Sequence, residues 1–129
     1  MAEGDKMTVK QDDQLGMLMD YTKFHIGMYT TLCTLLVGFL GLYSEGHTIE
    51  RMRGFLFATL FCFVIAGLCG GIVAANLPHS TSMAEFEKSL LGPVGLRWFR
   101  STTWMTLEHL AFWVGIAVAL AGLWCVTGK

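Results

Sequence analysis

The chain has 129 residues, of which 53% are hydrophobic and 15% are charged. A soluble domain carries about a quarter charged residues, so this composition excludes a disordered chain and most soluble folds, which need more polar surface to face water. Nine Lys and Arg residues against ten Asp and Glu residues give a net charge of −1, and we expect no nucleic-acid partner. The composition therefore indicates a membrane protein.

The first 25 residues are polar and partly acidic, and apolar residues recur among them at spacings of three and four. This spacing is typical of an amphipathic helix. It predicts that the first helix begins near Asp12 or Asp13 and reaches the membrane as an amphipathic extension.

Three apolar runs follow, over residues 26–43, 54–78 and 110–128, and none contains Asp, Glu, Lys or Arg. About 20 such residues cross the ~30 Å of hydrocarbon in a bilayer as a helix. Three segments cannot close a barrel, so all three runs are predicted to be helices. The expected fold is an all-α, integral membrane three-helix bundle over residues 26–128. The missing charge argues against a pump or a secondary transporter.

The link between the second and third runs has a pattern of its own. Pro78 ends the second helix, and the segment from Ser82 to Glu85 matches a capping box. Apolar residues then recur at helical spacing, which predicts an interfacial helix, or two short ones, over residues 83–100. An ordinary loop is the alternative. The side chains expected at the lipid headgroups are Lys88, Arg97, Trp98, Arg100 and Trp104.

The Lys and Arg residues are divided unequally between the two sides of the membrane. Six lie on the side of the N-terminus and the second link, and three lie on the other side. The positive-inside rule therefore predicts a cytoplasmic N-terminus and a C-terminus outside the cell membrane. The inverted arrangement is the alternative, because Arg51 and Arg53 lie close to a span on the side with fewer cations.

Small residues recur every four positions along the second and third helices, which predicts close packing of helices within one chain or between copies. Those in the second helix are Gly67, Gly71 and Ala75, and those in the third are Ala111, Gly115 and Ala119.

The first helix carries a different set of small residues, the α1 stripe, formed by Gly27, Thr31, Thr34, Gly38 and Gly41. Its mean spacing of 3.5 keeps it on one side of a supercoiled helix, and the same spacing reaches Asp20 and Glu45 at its two ends. One interpretation is a pore lining with acidic mouths. The other is a packing surface whose Thr hydroxyls bond to the preceding turn.

Residues that carry chemistry are few. His25 and His109 open the first and third runs and are the candidate axial ligands of a haem, although a histidine at this depth is more often solvated or bonded to a carbonyl. Glu108 is expected to be solvated at the start of a helix, and it points about 100° away from its neighbour His109. The four cysteines lie in the apolar runs and are expected to act as small hydrophobic residues. No catalytic or metal motif is present, so no enzyme, metal or cofactor is predicted.

In size and span layout the chain resembles phage holins, membrane-acting effectors of antiviral defence, and anchor subunits of respiratory enzymes. The leading hypothesis is a homo-oligomer that acts as a channel or perturbs the bilayer, because the small-residue stripes exceed what one chain needs. The alternative is a non-enzymatic anchor that docks a soluble partner through residues 1–25 and 83–100.

Overall fold

The computed structural model describes the backbone of residues 2–42, 47–93 and 96–127, and side chains within 13–38, 52–93 and 96–125. Its helices are α1 (Ala2–Leu42), α2 (His47–Asn76), α3 (Met83–Lys88) and α4 (Ser101–Thr127). The predicted helical class is confirmed. Helix α1 begins at Ala2, well before the predicted start, since the acidic and polar residues of the first turns continue the helix rather than precede it.

Within the described residues, two segments are long and apolar enough to cross a membrane, Met52–His79 and Ser101–Cys125. They overlap two of the three predicted spans, and that these helices cross a membrane stays a prediction. The span over residues 26–43 ends beyond the residues with described side chains and stays a prediction. Large apolar side chains such as Phe61 and Trp124 are 66% and 77% exposed, which suits a lipid environment rather than water.

Helices α2 and α4 pack side by side over most of their length, and glycines of α4 allow the close approach. A Cβ added at Gly115 would lie 2.8 Å from the ring of Phe63, and one at Gly122 would lie 2.7 Å from the Cβ of Phe55. Thr59 donates a hydrogen bond to the carbonyl of Gly115 at 3.4 Å. Small residues therefore bring these two helices together inside one molecule.

Helix α1 lies against α2 at Gly67 and Gly70. Tyr29 covers Gly67, where an added Cβ would be 3.9 Å from the Cβ of Tyr29. A Cβ added at Gly70 would lie 3.4 Å from Cγ1 of Ile26. The three long helices thus meet where these glycines face α1.

The link between α2 and α4 differs from the predicted interfacial helix. Helix α2 ends at Asn76 and a 3₁₀ turn spans Leu77–His79, as Pro78 predicts. Ser82 caps α3 by accepting a 3.3 Å bond from the amide of Glu85. The helix stops at Lys88, because Ser89 is extended, with ψ at 142°.

Two short strands replace the rest of the predicted helix. Strand β1 (Leu90–Leu91) pairs antiparallel with β2 (Phe99–Arg100), in a register that sets Leu90 opposite Arg100. A Cβ added at Gly92 would clash with the carbonyl oxygen of Leu96, so only glycine permits this close approach of the two backbones. The prediction of a helix over residues 83–100 is therefore wrong beyond Lys88.

A buried cluster of apolar residues joins the link to the helices. It comprises Cys69, Val73, Leu77, Phe86, Leu91 and Trp104, with Leu15, Leu18 and Met19 of α1 packed against it. Trp104 is only 8% exposed and donates its indole N–H to the carbonyl of Leu91 at 2.9 Å. The structure therefore places this ring inside the protein, and not at its surface as the headgroup prediction required.

Candidate functional site

Glu108 lies inside α4 and not at its start. The helix begins at Ser101, so Glu108 is about two turns into it. Its side chain is only 2% exposed, and the residue falls within the candidate span Ser101–Cys125. The expectation of a solvated carboxyl is therefore wrong. An ionisable side chain at such a position is costly unless a partner satisfies it, and such residues commonly have functional roles.

The partner of Glu108 comes from α1. The hydroxyl of Tyr29 donates a 3.0 Å hydrogen bond to Oε1 of Glu108 across 79 positions of sequence. Gly70 of α2 makes room for the carboxyl, because a Cβ there would lie 3.4 Å from both Cδ and Oε1 of Glu108. The bond therefore forms where all three long helices meet.

The next residue of α4, His109, has a separate partner on α1. Its Nε2 lies 2.7 Å from the hydroxyl of Tyr21, and its Nδ1 lies 2.7 Å from the carbonyl of Met105. A carbonyl only accepts, so Nδ1 carries a proton, and in the neutral ring Nε2 accepts from Tyr21. A phenol is ordinarily protonated at neutral pH, so Tyr21 is the donor of this bond.

Tyr21, His25 and Tyr29 follow one another at intervals of four, and together they form the tyrosine–histidine face of α1. Their ring centroids are 3.9 Å apart for Tyr21 and His25 and 5.9 Å apart for His25 and Tyr29. This spacing is visible in the sequence, but the two tyrosines were not among the predicted site residues. Helical periodicity could have identified the face, but only the fold shows that it meets Glu108 and His109.

The histidines proposed as haem ligands do come close together, with ring centroids 5.9 Å apart. However, both nitrogens of His109 already have partners, and the Nδ1 of His25 donates to the carbonyl of Tyr21 at 2.8 Å. The ring of Tyr21 lies beside both imidazoles. An axial pair needs a nitrogen lone pair from each histidine and a slot between them for the macrocycle, so this arrangement does not fit a haem.

The part of the α1 stripe from Gly27 to Gly38 lies on the outside of the molecule. A Cβ added at Gly27 or Gly38 would meet no other described atom within 4 Å. The hydroxyls of Thr31 and Thr34 donate to the carbonyls of Gly27 and Thr30, each at 2.9 Å. Of the predicted ends, Asp20 is exposed, whereas Glu45 lies outside the described residues, as do the surroundings of Gly41.

The small residues of α2 and α4 differ in their surroundings. Gly115 is buried under Phe63, and Gly67 is covered by Tyr29. Gly71 has open space beside it within the described structure. Ala75 is exposed, and Ala111 and Ala119 are half-buried.

The headgroup residues other than Trp104 lie on the surface of the link. Lys88 ends α3, Arg97 and Trp98 precede β2, and Arg100 lies within it, all four exposed. The fold therefore gathers these three cations near one end of the molecule.

Among the described residues, no group of three or more His, Cys, Asp or Glu side chains could hold a metal ion. Comparison of the chain with protein-family models, with curated proteins and with solved structures gives no match. The function must therefore be argued from the geometry of this molecule.

Proposed function

We propose that this chain is a small multi-pass membrane protein that assembles with copies of itself through the α1 stripe. The assembly acts as a channel or perturbs the bilayer. The observation that carries the proposal is a contrast between the glycines of α4 and those of α1. Phenylalanines of the same molecule fill the space beside Gly115 and Gly122, whereas Gly27 and Gly38 face open space.

The tyrosine–histidine face explains why the α1 stripe is directed outward. Successive residues of a helix are rotated by about 100°, so Gly27, Thr31 and Gly38 point roughly opposite to Tyr29. Because Tyr29 and Tyr21 are bonded to Glu108 and His109 of α4, the stripe is directed away from the other helices. Glycine destabilises a helix by about 1 kcal/mol, and in a membrane its common use is close contact with another helix.

Assembly is needed because three helices enclose no aqueous path. Identical subunits usually assemble around a closed symmetry axis, which would bring the stripes of neighbouring copies together. In this arrangement the stripe forms a narrow surface of glycine and threonine, and the exposed Asp20 lies beyond one end of it.

Leucine substitutions at the stripe test the assembly. Gly27→Leu and Gly38→Leu leave the fold of one copy intact, because each added side chain enters open space. Gly54→Leu is the matched control, since Gly54 is also exposed and open but lies on α2. We expect mass photometry in mild detergent to show oligomers for the wild type and Gly54→Leu, and smaller species for the two stripe variants. Wild-type protein that is monomeric under all conditions, or stripe variants that assemble like Gly54→Leu, would overturn the proposal.

A second candidate function is favoured by the length of α1. Its 41 residues make a helix of about 60 Å, twice the ~30 Å thickness of the hydrocarbon. The N-terminal part therefore extends beyond the bilayer, as expected of an accessory subunit that docks a soluble partner. A stoichiometric partner that is lost when residues 2–12 are deleted, while the oligomer persists, would favour this function over the first.

A further inference from the structure

A polar cleft of about 610 Å³ opens between the end of α2 and the link that leads to α4. Its cationic side chains are Lys88 from the end of α3 and Arg97 from the segment before β2. The imidazole of His79, from the 3₁₀ turn, also lines the cleft. Asn76, Ser80 and Ser89 add amide and hydroxyl groups to the lining. The cleft is distinct from the cluster around Glu108 and from the α1 stripe.

The cleft lies at the depth where the helices leave the hydrocarbon. His79 is the last residue of one candidate span, and Ser101 is the first residue of the other. Two apolar side chains of the lining, Leu90 and Leu96, are about half exposed, at 49% and 51%. A lining that combines polar groups with half-exposed apolar groups matches the boundary between headgroups and acyl chains.

The charges of the lining favour an anion. Lys88 and Arg97 bring two positive charges, and Glu85 brings one negative charge. The Glu85 carboxylate is already occupied, because its Oε2 accepts bonds from the amide and hydroxyl of Thr81 at 2.9 and 2.6 Å. The guanidinium of Arg97 is suited to a phosphate, to which it can donate two parallel hydrogen bonds.

We propose that this cleft binds the phosphate group of an anionic phospholipid. Arg97 and Lys88 bind the phosphate, the hydroxyl of Ser80 offers a further donor, and Leu90 and Leu96 contact the first carbons of the acyl chains. The site belongs to a single copy of the chain, so it does not depend on self-association.

Native mass spectrometry of the purified protein in mild detergent tests the site. The probes are phosphatidylglycerol, phosphatidylcholine and inorganic phosphate, each added at the same concentration. We expect phosphatidylglycerol to bind more tightly than phosphatidylcholine, and inorganic phosphate alone to give no adduct, because it lacks the apolar contacts. Lys88→Gln and Arg97→Gln should each weaken phosphatidylglycerol binding about fivefold, the effect typical of one basic residue near an anionic lipid.

Arg100→Gln is the matched control. Arg100 is an exposed cation in β2, directly opposite Leu90 in the strand pair, but it is absent from the lining of the cleft. If the cleft binds the phosphate, Arg100→Gln should weaken phosphatidylglycerol binding less than Arg97→Gln does. Equal effects of the two would mean that general surface charge attracts the lipid, and would overturn the proposal. Equal binding of both lipids, or binding of inorganic phosphate without lipid, would also overturn it.

Discussion

The hydroxyl of Tyr29 donates a hydrogen bond to the buried carboxyl of Glu108, and both side chains are only 2% exposed. The bond links α1 to α4 at a point where Gly70 of α2 lies against the carboxyl. A carboxyl without such a partner would be costly in this environment. The pair therefore fixes the rotation of α1, and with it the side of that helix that remains uncovered.

Removing the hydroxyl of Tyr29 should destabilise the protein more than removing that of Tyr21. Tyr29→Phe leaves a buried acceptor unpaired, which we expect to lower the free energy of unfolding by about 1–3 kcal/mol. Tyr21→Phe breaks the bond to His109 on a side chain that is 42% exposed, and should cost less than about 1 kcal/mol. Unfolding in mixed micelles with increasing SDS measures both. An equal or greater loss of stability in Tyr21→Phe would show that the bond to Glu108 stabilises the protein no more than the bond to His109.

Two glycines should respond in opposite ways to the same substitution. Gly122→Ala puts a methyl group 2.7 Å from the Cβ of Phe55, which forces the helices apart and should cost about 1–3 kcal/mol. Gly71→Ala meets nothing within 4 Å, and should be neutral or stabilising by up to about 1 kcal/mol through helix propensity. The same unfolding assay compares them. A Gly122→Ala protein as stable as the wild type would contradict the close contact of α2 with α4.

Ion flux should report whether the α1 stripe lines a path or only packs. We expect the double variant Thr31→Val and Thr34→Val to assemble, because valine keeps the volume of threonine, but to pass ions at least about tenfold more slowly, because apolar groups dewet the path. The measurement is flux through liposomes that contain purified protein, with Thr106→Val as control. Thr106 is an exposed threonine of α4 whose hydroxyl also bonds to the preceding turn. Unchanged flux from an assembled double variant would assign the stripe to packing alone.

The link should lose protection in acid because of Glu85. Hydrogen bonds from Thr81 lower the pKa of this carboxyl, so the ionised form favours the folded link. Its contribution is present above the ordinary value of 4.5 and is lost as the pH falls through the lower pKa of the folded state. Hydrogen exchange of the α3 amides between pH 3 and 6 should show this loss. In Thr81→Val the loss should move to higher pH, and an unchanged midpoint would contradict the role of the hydroxyl.

The sequence alone determined the helical class of the protein and the apolar part of each long helix. Composition, apolar run length and the break at Pro78 act locally, so they can be recognised without knowing which segments meet. The capping of α3 by Ser82 was predicted for the same reason and is confirmed. The start of α1 was missed, because polar first turns are equally compatible with a helix and with an extended tail.

Only the tertiary structure decided the environment of each polar and small residue. Glu108 is buried because Tyr29 and Gly70, which are distant in sequence, meet it there. The apolar period after Lys88 predicts a helix, but the buried cluster around Trp104 and the close approach of Leu96 to Gly92 favour a strand pair instead. Gly115 and Gly27 follow similar patterns in the sequence, yet one is covered and the other is open, because packing depends on which helix faces lie together.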